Sequence, residues 1–309
     1  MSYKHKNLDD RITEALKTCA SSFLRPGNGR WELSLSNGKE LPVTLRLAND
    51  WLLFDAPVSD RITREDLWRV LNLNSSFSGF CKLILTPRRS VHLRAEVPLS
   101  DQDSGFDEQD TIESNLEASL GRTCSSLKTA FGIFQGAAPE PAAQTGPGED
   151  RVEELRRVCA ELEWPFIERS AGKLMFQLED QNGFHQAVVE QQHSGARLSV
   201  EILRFDDLKP LSRQALGALL LITGAHVRMA RSSVDEHSTG RFEVSFAALP
   251  AVNELKHALS SLSVACAMCA EEALILRDEN IAQQYLAYTG LSESPTNFSL
   301  PVSYQEASV

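Results

Sequence analysis

The sequence predicts an α+β protein: two tandem α-β-β-β-α-β-β-α repeats, each an antiparallel sheet with helices. Three observations predict it. Short runs with apolar residues at every second position and runs at helical spacing follow one another in the same order twice. Between the two series lies "QGAAPEPAAQTGPGED", residues Gln135 to Asp150, which has no apolar periodicity and reads as a flexible linker. Landmarks also recur: Gly29-Arg30 with Gly172-Lys173, Phe54-Asp55 with Phe205-Asp206, Leu67 with Leu216, and Leu99 with Leu249, at spacings of 143, 151, 149 and 150 residues. With 309 residues the chain can bury two cores. The division is 1–134, first repeat; 135–150, linker; 151–290, second repeat; 291–309, a disordered Ser- and Pro-rich tail.

In the first repeat, Ile12, Ala15, Leu16, Cys19 and Phe23 share a helix face from Asp9 to Leu24, and Pro26-Gly27 ends it. "RWELSLSN" and "LPVTLRL" alternate on either side of Asn37-Gly38, the favoured two-residue hairpin turn. "DWLLFD" is a third strand. A helix capped by Thr63 then places Leu67, Val70 and Leu71 on one face. The strands "GFCKLILT" and "SVHLRAEVPL" and a long helix from Thr111 to Phe134 complete the unit.

The second repeat opens with a helix from Asp150 to Leu162. It continues with the strands "GKLMFQLE", "FHQAVVEQ" and "ARLSVEIL", then a helix "RQALGALLLITG" capped by Ser212. The strands "AHVRMAR" and "GRFEVSF" precede one long helix from Ala251 to Tyr288.

Composition narrows the function classes. The chain carries a formal charge of −11, with 17 basic against 18 acidic residues in 1–134, none against 3 in the linker, and 14 against 21 in 151–309. Basic residues do not cluster beyond isolated pairs such as Arg88-Arg89, so nucleic acid is not an expected partner. No apolar run approaches the roughly 20 residues of a membrane span, and the N-terminus has no secretory h-region, so a cytoplasmic protein without a membrane partner is expected.

No constellation of catalytic or metal-ligating residues emerges, and no cofactor is implied. Cys266 and Cys269 have C-x-x-C spacing but lie inside an apolar helix with no completing ligand pair, and Cys19 and Cys159 occupy equivalent places in the first helices. The six cysteines read as small core residues. The seven histidines lack metal-binding spacing. "DQDSGFDEQD", Asp101 to Asp110, has the carboxylate density of a calcium loop but Phe106 where such a loop needs glycine. Phosphate-loop, dinucleotide and nucleophile-elbow motifs are missing from the sequence.

The apolar excess says more. "ALGALLLITGA" is hydrophobic almost all round, as expected of a helix covered on two sides. Leu216, Leu219 and Leu220 would meet Leu67, Val70 and Leu71 of the first repeat in an intramolecular pseudo-dimer. In "WLLF", Trp51 and Leu53 face one way while Leu52 and Phe54 face the other. Trp51, Phe54, Ile84 and Met175 form the candidate peptide-binding set, because apolar residues on a second sheet face need a cover.

The order α-β-β-β-α-β-β-α, in acidic units of this size, with the apolar middle helix "RQALGALLLITG" answering "REDLWRVLNLN", resembles the type III secretion chaperone fold, the class I or Tir-chaperone family. The resemblance covers Leu8 to Phe134 and again Arg151 to Tyr288. It implies a cytoplasmic, non-enzymatic module holding an extended segment of a partner protein, with the tandem replacing the family's homodimer. The alternative is a scaffold joining folded partners. The tail is expected to fray; Phe298, Leu300, Val302 and Tyr304 in it offer self-occupation of the binding groove as the alternative.

Overall fold

The computed structural model describes residues 2–77, 79–99, 109–138, 149–162, 164–180, 183–192 and 195–291. The first repeat runs α1 (Ser2–Cys19), β1 (Ser22–Gly27), β2 (Arg30–Asn37), β3 (Lys39–Ala48), β4 (Trp51–Ser59), α2 (Asp66–Ser75), β5 (Cys81–Leu85), β6 (Val91–Pro98), α3 (Gln109–Phe134). The second runs α4 (Glu149–Glu161), β7 (Phe166–Ser170), β8 (Lys173–Asp180), β9 (Gly183–Gln191), β10 (Ala196–Arg204), α5 (Pro210–His226), β11 (Arg231–Val234), β12 (Thr239–Phe246), α6 (Val252–Ile275), and adds α7 (Glu279–Tyr288).

Each repeat therefore holds one strand more than the alternation predicts. β1 ("SFLRPG") and β7 ("FIERS") are exposed along nearly their whole length. A strand without a buried face has no reason to alternate, which is why the period-2 pattern misses both.

The strand order is β1-β2-β3-β4-β6-β5 in one sheet and β7-β8-β9-β10-β12-β11 in the other, all neighbours antiparallel. Register makes the duplication explicit. One line of paired residues crosses the first sheet as Leu24–Glu32–Thr44–Asp55–Arg94–Lys82. The matching line in the second is Ile167–Met175–Val188–Ser199–Glu243–Arg231. Equivalent residues are 143, 143, 144, 144, 149 and 149 positions apart. Gly29 and Gly172 fit this frame: both sit at positive φ (65° and 76°), and their carbonyls accept from the Leu47 and Gln191 N–H groups. The Phe54–Phe205 match does not fit. Asp55 is answered by Ser199, and Phe205 lies beyond β10, where its ring meets Trp68 of α2 edge-on at 4.9 Å.

Alternation is borne out where one face is buried. Trp31, Leu33 and Leu35 of β2 point into a core closed by α1 and α3, and Leu174, Phe176 and Leu178 of β8 into one closed by α6. Each such side chain contributes about 1.5–3 kcal/mol through burial. The seam between the repeats is different: α2 packs on β11 and α5, and α5 packs on β5. Every residue of β5 and β11 is buried.

Several boundaries move. α1 stops at Cys19, short of Leu24. α2 starts at Asp66, and the Thr63 N–H and hydroxyl both donate to the Asp66 carboxylate, at 2.9 and 2.8 Å, so Thr63 sits before the cap. α5 starts at Pro210, and Ser212 instead donates to the Arg277 carbonyl. "AHVRMAR" is not a strand; α5 continues to His226 and β11 begins only at Arg231. The first repeat takes the carbonyls of Val227 and Ala230 and the Met229 N–H, and Met229 sits at positive φ (57°), so the segment is not extended for a ladder. The last helix breaks before Asp278, whose carboxylate accepts from the Asn280 and Ile281 N–H groups and starts α7. By length and composition α6 alone among the described helices is apolar enough to cross a membrane; Leu255, Leu259, Leu262, Cys266 and Cys269 lie on its buried face.

Most of the linker (139–148), most of the carboxylate-rich loop (101–108) and the tail beyond Leu291 lie outside the described residues, with the sequence readings made on them.

Candidate functional site

Two buried ion pairs organise the seam. Lys82 meets Glu96 at 2.9 Å, and its remaining N–H groups reach across to the carbonyls of Val227 (2.5 Å) and Ala230 (3.3 Å). Arg231, its counterpart by register, meets Glu243 at 2.9 Å, donates to Ser245 Oγ at 2.6 Å, and reaches back to the carbonyls of Gly79 (3.2 Å) and Cys81 (3.4 Å). Each cation thus satisfies a carboxylate of its own sheet and the backbone of the other repeat. Burial pulls the Lys82 ammonium below its ordinary value, with Glu96 pulling the other way. Charges this deep are tolerated only with every donor matched, so the pairs fix how the two copies meet.

Further bridges follow the same seam. Asn74 donates to the Leu83 carbonyl at 3.0 Å and, across the seam, to that of Ser232 at 2.8 Å. Glu96 accepts the Met229 N–H at 2.7 Å. Phe80 meets Phe246, and Arg213 of α5 lies 4.0 Å over the Trp68 ring. The residues assigned to the inter-repeat contact, Leu67, Val70, Leu71, Leu216, Leu219 and Leu220, are all buried. Gly217 marks the crossing of α2 and α5: a Cβ there would stand 3.5 Å from Leu71 and 3.9 Å from Leu67.

Of the four residues assigned to peptide binding, three face inward or toward the seam. Phe54, paired with Leu45 and Ala95, is fully buried on the core face. Ile84 is buried two residues from Lys82 on the seam-facing side of β5. Trp51 stacks edge-on with His257 of α6 and under Arg228, both from the second repeat. The surplus apolar face of "WLLF" is covered by the other copy.

Met175 is placed differently. It lies between Ile167 and Val188 in the outer half of the second sheet, on the face turned away from α6, and all three are at least partly exposed. Phe184 shares that face by strand parity and is 64% exposed; Ile167 is 63% exposed. Beside them runs β7, an outermost strand whose second edge pairs with no strand among the described residues. Sequence reasoning missed Ile167 and Phe184. Their signal was an apolar residue in the wrong phase next to a turn, which becomes visible only once register is known.

The described residues form other concave surfaces, among them one of about 390 Å³ walled by Phe80, Val97, Arg122, Phe246 and Leu249. A cleft of about 340 Å³ opens between α2 and α5, walled by Trp68, Leu208, Pro210 and Arg213. A shallower apolar groove of about 280 Å³ lies between α6 and α7, walled by Ile275, Leu276, Ile281, Tyr285 and Tyr288.

One polar chain has the order of a hydrolase relay. Ser90 Oγ lies 3.1 Å from His92 Nε2, and His92 Nδ1 lies 2.5 Å from Asp55 Oδ1. Both ends are engaged elsewhere. Thr86 Oγ1 shares the Ser90 hydroxyl at 2.6 Å, and Arg94 pairs with the other Asp55 oxygen at 2.7 Å while donating to the Ala225 carbonyl at 3.0 Å. Burial works to raise the Asp55 pKa, but the bonds from His92 and Arg94 outweigh it and hold the carboxyl below its ordinary value. The chain ties the β5–β6 turn and the first sheet to α5. Cys266 and Cys269 are buried, Cys269 donates to Thr223 Oγ1 at 3.2 Å, and burial pushes its thiol up to about 12. Among the described residues, no group of three or more His, Cys, Asp or Glu side chains is arranged to hold a metal ion.

Compared with known proteins, the chain matches no family model, no curated protein and no solved structure.

Proposed function

We propose that this protein is a non-enzymatic, cytoplasmic binding module of the secretion-chaperone type, which holds an extended segment of a partner protein against the outer half of its second sheet. The observation that carries the reading is the partly exposed row Ile167–Met175–Val188 beside the edge of β7, which pairs with no strand among the described residues. An extended segment adding to β7 would gain main-chain hydrogen bonds from the edge and seat every second side chain on the apolar face. Exposed apolar surface of this kind is unfavourable in water and marks interaction sites.

The test is capture of partners on the tagged chain from its native host, followed by limited proteolysis of the complex. The protected segment is then titrated as a synthetic peptide. The reading predicts a short protected segment that binds on its own and is recovered unchanged. A partner that binds only when folded would replace this reading with the scaffold.

A further inference from the structure

Cys19, the last residue of α1, and Cys124, in the middle of α3, bring their sulfurs to 3.5 Å, with the Cys124 S–H donating to Cys19. The two thiols differ in access. Cys19 is partly exposed and is the only one of the six cysteines that is not buried; Cys124 is 1% exposed. One turn further along α3, Lys128 donates to the Cys19 carbonyl at 3.2 Å, which places a cation beside the pair. The Cys124 S–H and then Lys128 lower the Cys19 pKa against the effect of burial, whereas Cys124, the donor, is raised. A partly exposed, thiolate-prone sulfur in contact with a buried second thiol is the arrangement of an attacking and a resolving cysteine.

We propose that Cys19 and Cys124 form a reversible disulfide on exposure to a hydroperoxide, locking α1 to α3. The Cys19 thiolate attacks one peroxide oxygen; the O–O bond breaks, hydroxide leaves and is protonated to water, and Cys19 becomes a sulfenic acid. Cys124 then loses its proton and attacks the Cys19 sulfur; the S–S bond forms, the S–O bond breaks, and a second water leaves. Overall, two thiols and one hydrogen peroxide give one disulfide and two waters. A dithiol reverses the change by exchange, becoming a disulfide itself. Forming the bond brings the sulfurs from 3.5 Å to the ~2.05 Å of a disulfide.

The lock would act on a defined part of the fold. Asp9 of α1 accepts from Arg25 of β1 at 2.5 Å and from the Gly29 N–H at 3.0 Å, and Trp31 donates to Thr13 at 2.9 Å. Fixing α1 therefore fixes the β1–β2 turn. In the second repeat Cys159 is buried, with its thiol pushed up to about 12 by burial alone.

The test treats the full chain with a stoichiometric dose of hydrogen peroxide and maps thiols by mass spectrometry without reduction. The expected result is a Cys19–Cys124 cross-linked peptide, reversed by dithiothreitol, with the other four cysteines still free. Because the bond closes a loop of about 100 residues, Tm should rise by roughly 5–10 °C on oxidation and return on reduction. Cys124→Ser should stop at the sulfenic acid, trapped by dimedone on Cys19, and Cys19→Ser should show neither product. Oxidation that reaches Cys266 or Cys269 at the same dose, or bridges only between molecules, would overturn the proposal. Wild-type mapping alone decides this even if a variant fails to fold.

Discussion

From its outer edge to the seam, the first sheet's row reads Leu24–Glu32–Thr44–Asp55–Arg94–Lys82, and the second reads Ile167–Met175–Val188–Ser199–Glu243–Arg231. The inner thirds agree in character: each carries charge that is answered by the partner repeat. The outer halves diverge, polar after Leu24 in one copy and apolar through Val188 in the other. Two demands acted on one duplicated surface. Near the seam, any residue must satisfy the other copy's carbonyls, so neither repeat can exchange its cation for an apolar residue without leaving polar groups unpaired. Away from the seam nothing constrains the row but water or a ligand, and there the copies are free to specialise.

The largest effects should come from the shared part. Lys82→Met leaves Glu96 buried with only Arg228 and the Met229 N–H as partners, and should cost about 3–5 kcal/mol in chemical denaturation. Arg231→Met strands Glu243 in the same way and should cost about the same. If either change proved silent, the equivalence of the two pairs would fail. Next comes the divergent part. Met175→Glu should weaken binding of the captured segment about tenfold or more, equivalent to ~1.4 kcal/mol, with stability nearly unchanged. Glu32→Ala, at the matching position of the first copy, should leave binding unaltered. The smallest effect concerns pH. Asp55 has a folded pKa below its ordinary value, so its contribution is complete above that ordinary value and fades as pH falls through the lowered one. Asp55→Asn should therefore flatten the acid limb of stability below about pH 4, while changing Ser199, the uncharged counterpart, should not.

Much of this architecture is legible in the sequence, and the reasons are local. Trp31–Leu33–Leu35 and Asn37-Gly38 declare a half-buried hairpin, and the apolar circumference of α5 declares burial on two sides. What stays hidden depends on long-range partners. β1 and β7 carry no pattern because they bury no face. "AHVRMAR" alternates like a strand, yet its backbone is claimed by Lys82 and Glu96, well over a hundred residues away. Trp51 and Ile84 read as surplus apolar surface because their cover is the other copy. Met175 was legible as out of phase; its neighbours Ile167 and Phe184 needed the register of β7, β8 and β9 to join it.

The most direct test is backbone hydrogen exchange along β1 and β7, with and without the captured segment, since the two strands are equivalent outer edges with different surfaces beside them. The account predicts strong protection of β7 amides on binding and no change at β1. Equal protection of both edges, or protection confined to the α2–α5 cleft, would contradict it.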